Sequence, residues 1–164
     1  MQIEFSRNIF AIKKVNNMQK LIPPFLLLIS ALIMVILHFT VPYQILISSP
    51  YNYFGIILII LGLAVAQKVR HDFAKIDTEI HTFKIPRQIV TNGLFKYSRN
   101  PIYLGFVAIL IGLNIVLGSF TPFIIVLSFI FITDYWYIPF EEKNRKNQFG
   151  QEYEKYMKKV RRWI

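Results

Sequence analysis

Cysteine is absent from the chain, which excludes a disulfide framework, a thiolate nucleophile and any cysteine-ligated metal. Charge is sparse. Only 17% of the 164 residues are charged, against about 25% in an average soluble domain. Acids are the scarcer sign, 9 against 19 Lys and Arg. The three histidines, His38, His71 and His81, show no metal-ligand spacing and no nearby acidic partner set, so no metal is expected. A secretory leader pattern is also missing. Charges continue to Lys20, and the apolar block that follows is long enough to stay as an anchor. No repeat or low-complexity segment interrupts the sequence, and the length predicts one domain spanning 1–164.

What the chain does have is apolar residues in long blocks, 54% of the total. A membrane-spanning helix needs about 20 of them in a row, with a range near 17–25. Blocks at 22–41, 51–67, 102–117 and 120–140 qualify, the third being short enough to suggest a tilted or partly buried helix. Inside a bilayer the backbone finds no hydrogen-bond partner but itself, so the expected fold is all-α, with about four membrane helices. His38 and Asn114 lie inside these blocks and read as packed polar residues of a helix bundle.

The charges orient the blocks. Four basic residues precede the first, seven lie between Lys68 and Arg99, and eight follow Phe140. The connectors 42–50 and 118–119 carry none. All 19 therefore fall on one side of a four-helix topology, and the positive-inside rule makes that side, with both termini, cytoplasmic. Nucleic acid is the other partner that suits a basic chain, but no basic face stands apart from the membrane flanks. The first 20 residues read as a short arm on the cytoplasmic face.

Chemistry is expected in the cytoplasmic segments, 68–100 and 141–164. The first ends in a dense run from Gln88 to Gly105, with a turn signal at Asn92-Gly93. Pro101 suits the first turn of a helix and Asn100 its N-cap. A helix N-terminus favours an anion, and Arg99 beside it adds a planar cation suited to carboxylate or phosphate. Equally, Arg99 could snorkel to the lipid headgroups.

The second segment opens with Glu141-Glu142, which taken alone is a solvated helix end. Helical spacing adds that Asp134, Tyr137, Ile138 and Glu141 fall on one stripe, Asp134 about 10 Å below Glu141. An acid within a span is a functional candidate by default, and pairing with a nearby Arg or Lys is the alternative. Phe149, Tyr153 and Tyr156 share one face of a short charged helix, which could lie on headgroups or cover the 68–100 loop.

Taken together, Ile89-Val-Thr-Asn-Gly-Leu-Phe95, Arg99-Asn-Pro-Ile-Tyr-Leu-Gly105, Glu141-Glu142 and Phe149-Gly-Gln-Glu-Tyr-Glu-Lys-Tyr156 resemble the isoprenylcysteine carboxyl methyltransferase family, whose wider group includes the phospholipid methyltransferases. The resemblance covers roughly the second half of the chain. It implies an S-adenosylmethionine-dependent methyltransferase acting on a lipid or lipid-modified acceptor. Arg87, Gln88, Ile89, Val90 and Phe95 would contact the cofactor from the loop; Asn100, Pro101, Ile102 and Tyr103 would do so from the helix start, and Glu141 from the tail. Arg99, Glu142 and Asp134 are the candidate catalytic residues, the two acids as bases for an amine acceptor. Three positions depart from the family pattern. Asn100 stands for a His, Phe95 for a Tyr, and Tyr137 where the family places a substrate-contacting Arg. Two alternatives remain: a sterol-type membrane reductase using a nicotinamide, and a non-enzymatic membrane protein that binds lipid or a partner.

Overall fold

The computed structural model describes residues 22–41, 44–74 and 89–164, and among these the architecture is helical, with one isolated β-bridge, Ile45 to Ser119. Helix α1 (Ile22–Thr40) is followed by a 3-10 turn (Tyr51–Tyr53) and α2 (Phe54–Ala74). A second 3-10 turn (Gly93–Lys96) precedes α3 (Pro101–Leu117). Helix α4 (Phe123–Ile132) continues through a π-helical turn (Thr133–Tyr137) into α5 (Ile138–Phe149), and α6 (Gln151–Lys159) follows. Three stretches are long and apolar enough to cross a membrane: Pro23–Thr40, Tyr51–Ala74 and the continuous rod Phe123–Phe149. The fourth apolar helix, α3, has 17 residues and is the most enclosed, with Tyr103, Phe106 and Leu110 buried. The expected arm at 1–20 lies outside the described residues, as do His81, Arg87 and Gln88.

The α2–α3 pair is the tightest contact, and its cause is glycine. Gly55 and Gly62 on α2 face Gly112 and Gly105 on α3, two helical turns apart on each. A Cβ at Gly62 would lie 2.5 Å from the Gly105 carbonyl oxygen, and one at Gly112 would lie 2.5 Å from that of Gly55. Two backbones approach this closely only where side chains are absent, and dispersion between apolar helices then replaces the hydrophobic effect that lipid withholds. Helices α1, α4 and α5 pack on the other side of α3, around Met34, Leu110, Val126, Phe129 and Ile138. The outward faces remain apolar, with Leu28, Leu32, Ile57, Leu61, Leu127 and Phe131 exposed as lipid requires.

The two uncharged connectors meet at one end of the bundle. Leu46 N–H donates to the Gly118 carbonyl at 2.8 Å, Phe120 N–H to that of Gln44 at 3.2 Å, and His38 Nδ1 pairs with Ser119 Oγ at 2.8 Å. His38 is thus the packed polar residue expected. Every basic residue among those described lies on segments at the other end.

Two element boundaries differ from the sequence pattern. Helix α2 runs on past Gln67 to Ala74, because nothing in Lys-Val-Arg-His-Asp-Phe-Ala stops a helix once α3 supports it, and this carries Phe73 to the charged end. The last rod likewise continues past Phe140 to Phe149. Its π-turn has a local cause in Pro139. A proline in mid-helix lacks a donor for the carbonyl four residues back and its ring crowds that carbonyl, so a wider turn just before it relieves both. Thr133 Oγ donates to the carbonyls of Phe129 and Ile130 at 2.8 and 3.0 Å where the turn begins.

Candidate active site

At the charged end the approach to α3, the α5 rod and the last residues of the chain interlock through a row of acids and arginines. The Arg99 guanidinium reaches Glu142 Oε1 at 3.1 Å, and Arg162 holds Glu142 Oε2 at 3.0 Å. Arg162 also reaches Asp134 Oδ1 at 3.3 Å, and the Trp163 indole N–H donates to the same oxygen at 2.8 Å. One arginine therefore bridges two acids eight positions apart. A regular α-helix would place such residues about 80° apart in azimuth, while the extra residue of a π-turn brings them into line. The stripe expected from spacing, Asp134 with Glu141, is thereby shifted, and Asp134 shares Arg162 with Glu142 instead. Burial opposes the charge on Arg162, but the hydrogen bond and charge of Glu142, then those of Asp134, outweigh it and raise its pKa.

Glu141 faces a second set. Arg145 donates to its Oε2 at 2.8 Å and the Tyr103 hydroxyl to its Oε1 at 3.1 Å. Arg145 also reaches Asn100 Oδ1 at 3.4 Å. Asn100 occupies the N-cap of α3, yet its side chain makes no cap hydrogen bond; its amide donates to the Arg162 carbonyl at 3.3 Å. The Arg161 carbonyl accepts from Arg99 N–H at 3.0 Å, and the Arg162 carbonyl from the Ser98 hydroxyl at 3.2 Å. The chain's last residues thus lie across the N-terminus of α3, with carbonyl oxygens satisfying groups there.

Beside this network is a half-open pocket. One wall is the loop before α3, with Ile89, Val90 and Phe95; α2 adds Phe73. The opposite wall is Phe149, Tyr153 and Tyr156 of the tail, and Arg99 and Arg145 are the charged lining groups. The Phe73 and Phe95 rings meet edge to face at 5.5 Å. Tyr156 donates its hydroxyl to the Phe95 carbonyl at 2.7 Å, tying the tail to the loop. Burial, and then the charge of Tyr153, push the Tyr156 phenol up to about 12. The aromatic face of α6 therefore covers the loop. Gly150, with φ of +51°, makes the sharp α5–α6 corner that folds it back.

The residues singled out from sequence sort by position. Ile89, Val90, Phe95 and Arg99 line the pocket. Asn100, Pro101, Tyr103 and Glu142 are buried behind it, with Ile102, Glu141, Asp134 and Tyr137 partly buried. Tyr137 packs against the central apolar cluster. Arg145, Arg162, Trp163 and Phe73 were not singled out. Their signal was weak, since each sits in a charged or amphipathic stretch and only the folded chain brings it to the site.

These features define a membrane-embedded helical protein with a pocket at its basic end, walled by the loop before α3 and the segment after Glu141-Glu142. A model of the phospholipid methyltransferase family matches residues 51–152, most of the chain that builds this pocket, and the chain belongs to that family. A protein of Haemophilus influenzae, described as uncharacterized, is 36% identical over 62 residues, which cover 38% of this chain and 98% of that protein. No solved structure matches the chain.

Proposed function

We propose that this membrane methyltransferase uses S-adenosylmethionine, bound in the aromatic pocket from the cytoplasmic side, and methylates a lipid or lipid-modified acceptor that enters sideways from the bilayer. The observation that carries the reading is the pocket's make-up: aromatic walls from the loop and the tail, with Arg99 and Arg145 in the lining and Glu141 held next to it. The donor set fits the cofactor. Aromatic faces suit adenine and a sulfonium, and two buried donors, the Arg99 Nε–H and the Tyr153 hydroxyl hydrogen, lack an acceptor among the described residues.

In this reading Ile89, Val90 and Phe95, with Arg87 and Gln88 preceding them, grip the cofactor, which supplies an activated methyl group. Asn100, Pro101, Ile102 and Tyr103 hold the floor, Tyr103 by fixing Glu141 through its hydroxyl. Glu141 faces the ammonium. Arg99 stays in place because Glu142 anchors it from behind. Methyl transfer is an in-line displacement, so alignment and exclusion of water are the protein's main contributions. A carboxylate acceptor needs no base. An amine does, and Glu142 and Asp134 are the acids available, each giving up part of its hold on Arg162 to take a proton. Tyr137 lies on the rod between them and is assigned to the acceptor side.

Calorimetric titration of the detergent-solubilised protein with S-adenosylhomocysteine tests the reading. Micromolar binding that Glu141→Ala weakens about tenfold or more is expected, since the lost contact is to a charged group. NADPH should give no heat; binding of NADPH with silence toward S-adenosylhomocysteine would overturn the assignment.

A further inference from the structure

Resting on that reading and extending it, we infer that Arg99, Arg145 and Tyr153 form an anion subsite within the pocket, sized for a carboxylate or phosphate group. All three line the pocket. Tyr153 is 1% exposed, and its buried hydroxyl oxygen faces Arg145. Its neighbour Arg145 is itself only a donor, so the phenolic hydrogen has no acceptor. Arg99 is 8% exposed and its Nε–H is likewise buried and unmatched. Buried donors of this kind cost about 1–3 kcal/mol each when left unpaired, so two beside one pocket point to an acceptor that arrives from outside the chain. Acids do not supply it. Glu141 hydrogen-bonds Arg145, Glu142 meets the Arg99 terminal nitrogen as an ion pair and not its Nε–H, and neither acid lines the pocket.

The alternative anion position, the N-terminus of α3, is already covered. The carbonyls of Arg161 and Arg162 and the side chain of Asn100 lie across it. The subsite is therefore displaced from the helix end toward α6, and Arg145 and Tyr153 join Arg99 as its donors. Two sources offer the matching chemistry: the amino-acid carboxylate of the methyl donor, whose ammonium would then face Glu141, and the anionic head of a lipid.

Calorimetry on the full-length protein and on Tyr153→Phe and Arg145→Gln separates them, with three probes: S-adenosylhomocysteine, its decarboxylated analogue that keeps the amine, and dioleoylphosphatidic acid in dodecylmaltoside micelles. Tyr153→Phe removes one oxygen, and unchanged affinity for the decarboxylated analogue reports an intact pocket. If the donor's carboxylate is the occupant, both variants weaken S-adenosylhomocysteine about tenfold more than they weaken the analogue. Equal losses for both nucleosides, or none, overturn the subsite while the methyl-donor reading stands. No binding of S-adenosylhomocysteine to the unaltered protein, with phosphatidic acid binding reduced in both variants, supports the subsite with lipid as its source and overturns the methyl donor. Indifference of all three probes to both substitutions refutes the subsite whatever the donor.

Discussion

Glu142 is the residue on which most of the site depends. It is 5% exposed and binds two arginines, one through each oxygen. Removing one partner of such a buried pair leaves charge without compensation, at about 3–5 kcal/mol. Glu142→Gln is therefore expected to lower the midpoint of thermal unfolding in detergent by several degrees and to weaken S-adenosylhomocysteine through the loosened Arg99. A variant that unfolds like the parent would contradict this. Tyr156 sets a pH limit by the same kind of argument. Its folded pKa of about 12 lies above the ordinary tyrosine value near 10. The folded state thus holds the phenolic proton more tightly than the unfolded one. Its contribution is complete below about pH 10 and is lost between about 10 and 12. Stability measured across that window should fall less steeply in Tyr156→Phe than in the parent.

At the scale of elements, the α2–α3 contact and the C-terminal strap hold the pocket's walls in register. Gly62 and Gly105 leave no room for a side chain, since a Cβ on either would lie within 3 Å of the other's backbone carbonyl oxygen. Gly105→Val should force the helices apart at a cost of about 1–3 kcal/mol or more, read as a lower unfolding midpoint and weaker ligand binding together, because Phe73 and the loop ride on α2 and α3. The strap acts differently. Residues 161–163 satisfy Ser98, the Arg99 N–H, Asn100 and Asp134 at once. Deleting 161–164 is expected to leave the helices folded, by circular dichroism, but to raise the S-adenosylhomocysteine dissociation constant at least about tenfold, by freeing the Arg99 loop. Deletion with unchanged affinity would show that the loop is held by other contacts.

For the whole molecule the testable property is sidedness. The described basic residues gather at one end and the two uncharged connectors at the other. The absence of cysteine makes the test direct. Single cysteines at Lys158 and Phe120, both exposed, should react with a membrane-impermeant maleimide from opposite sides of the membrane, Lys158→Cys only from the cytoplasmic one. Labelling of both positions from one side would refute this sidedness.

Much of this was legible in the sequence because the bilayer imposes a strong and local rule. Long apolar blocks become helices, uncharged connectors sort from charged ones, and His38 and Asn114 stay inside the bundle, all without reference to distant residues. The spaced motifs fall on segments that the fold brings together, and Ile89, Val90, Phe95 and Arg99 line the pocket between them. The pairings were not legible. Whether Arg99 meets Glu141 or Glu142 depends on a π-turn set by Pro139, which changes the phase of the rod by one residue. The roles of Arg145, Arg162 and Trp163 depend on the sharp corner at Gly150 and on a strap that crosses back over α3. Apolar patterning determined that the chain is a helical membrane protein with its basic residues gathered at one end, since burial in lipid is decided residue by residue. Tertiary structure alone decided which carboxylate serves which arginine, since that follows from helix phase and chain return, which no local pattern encodes.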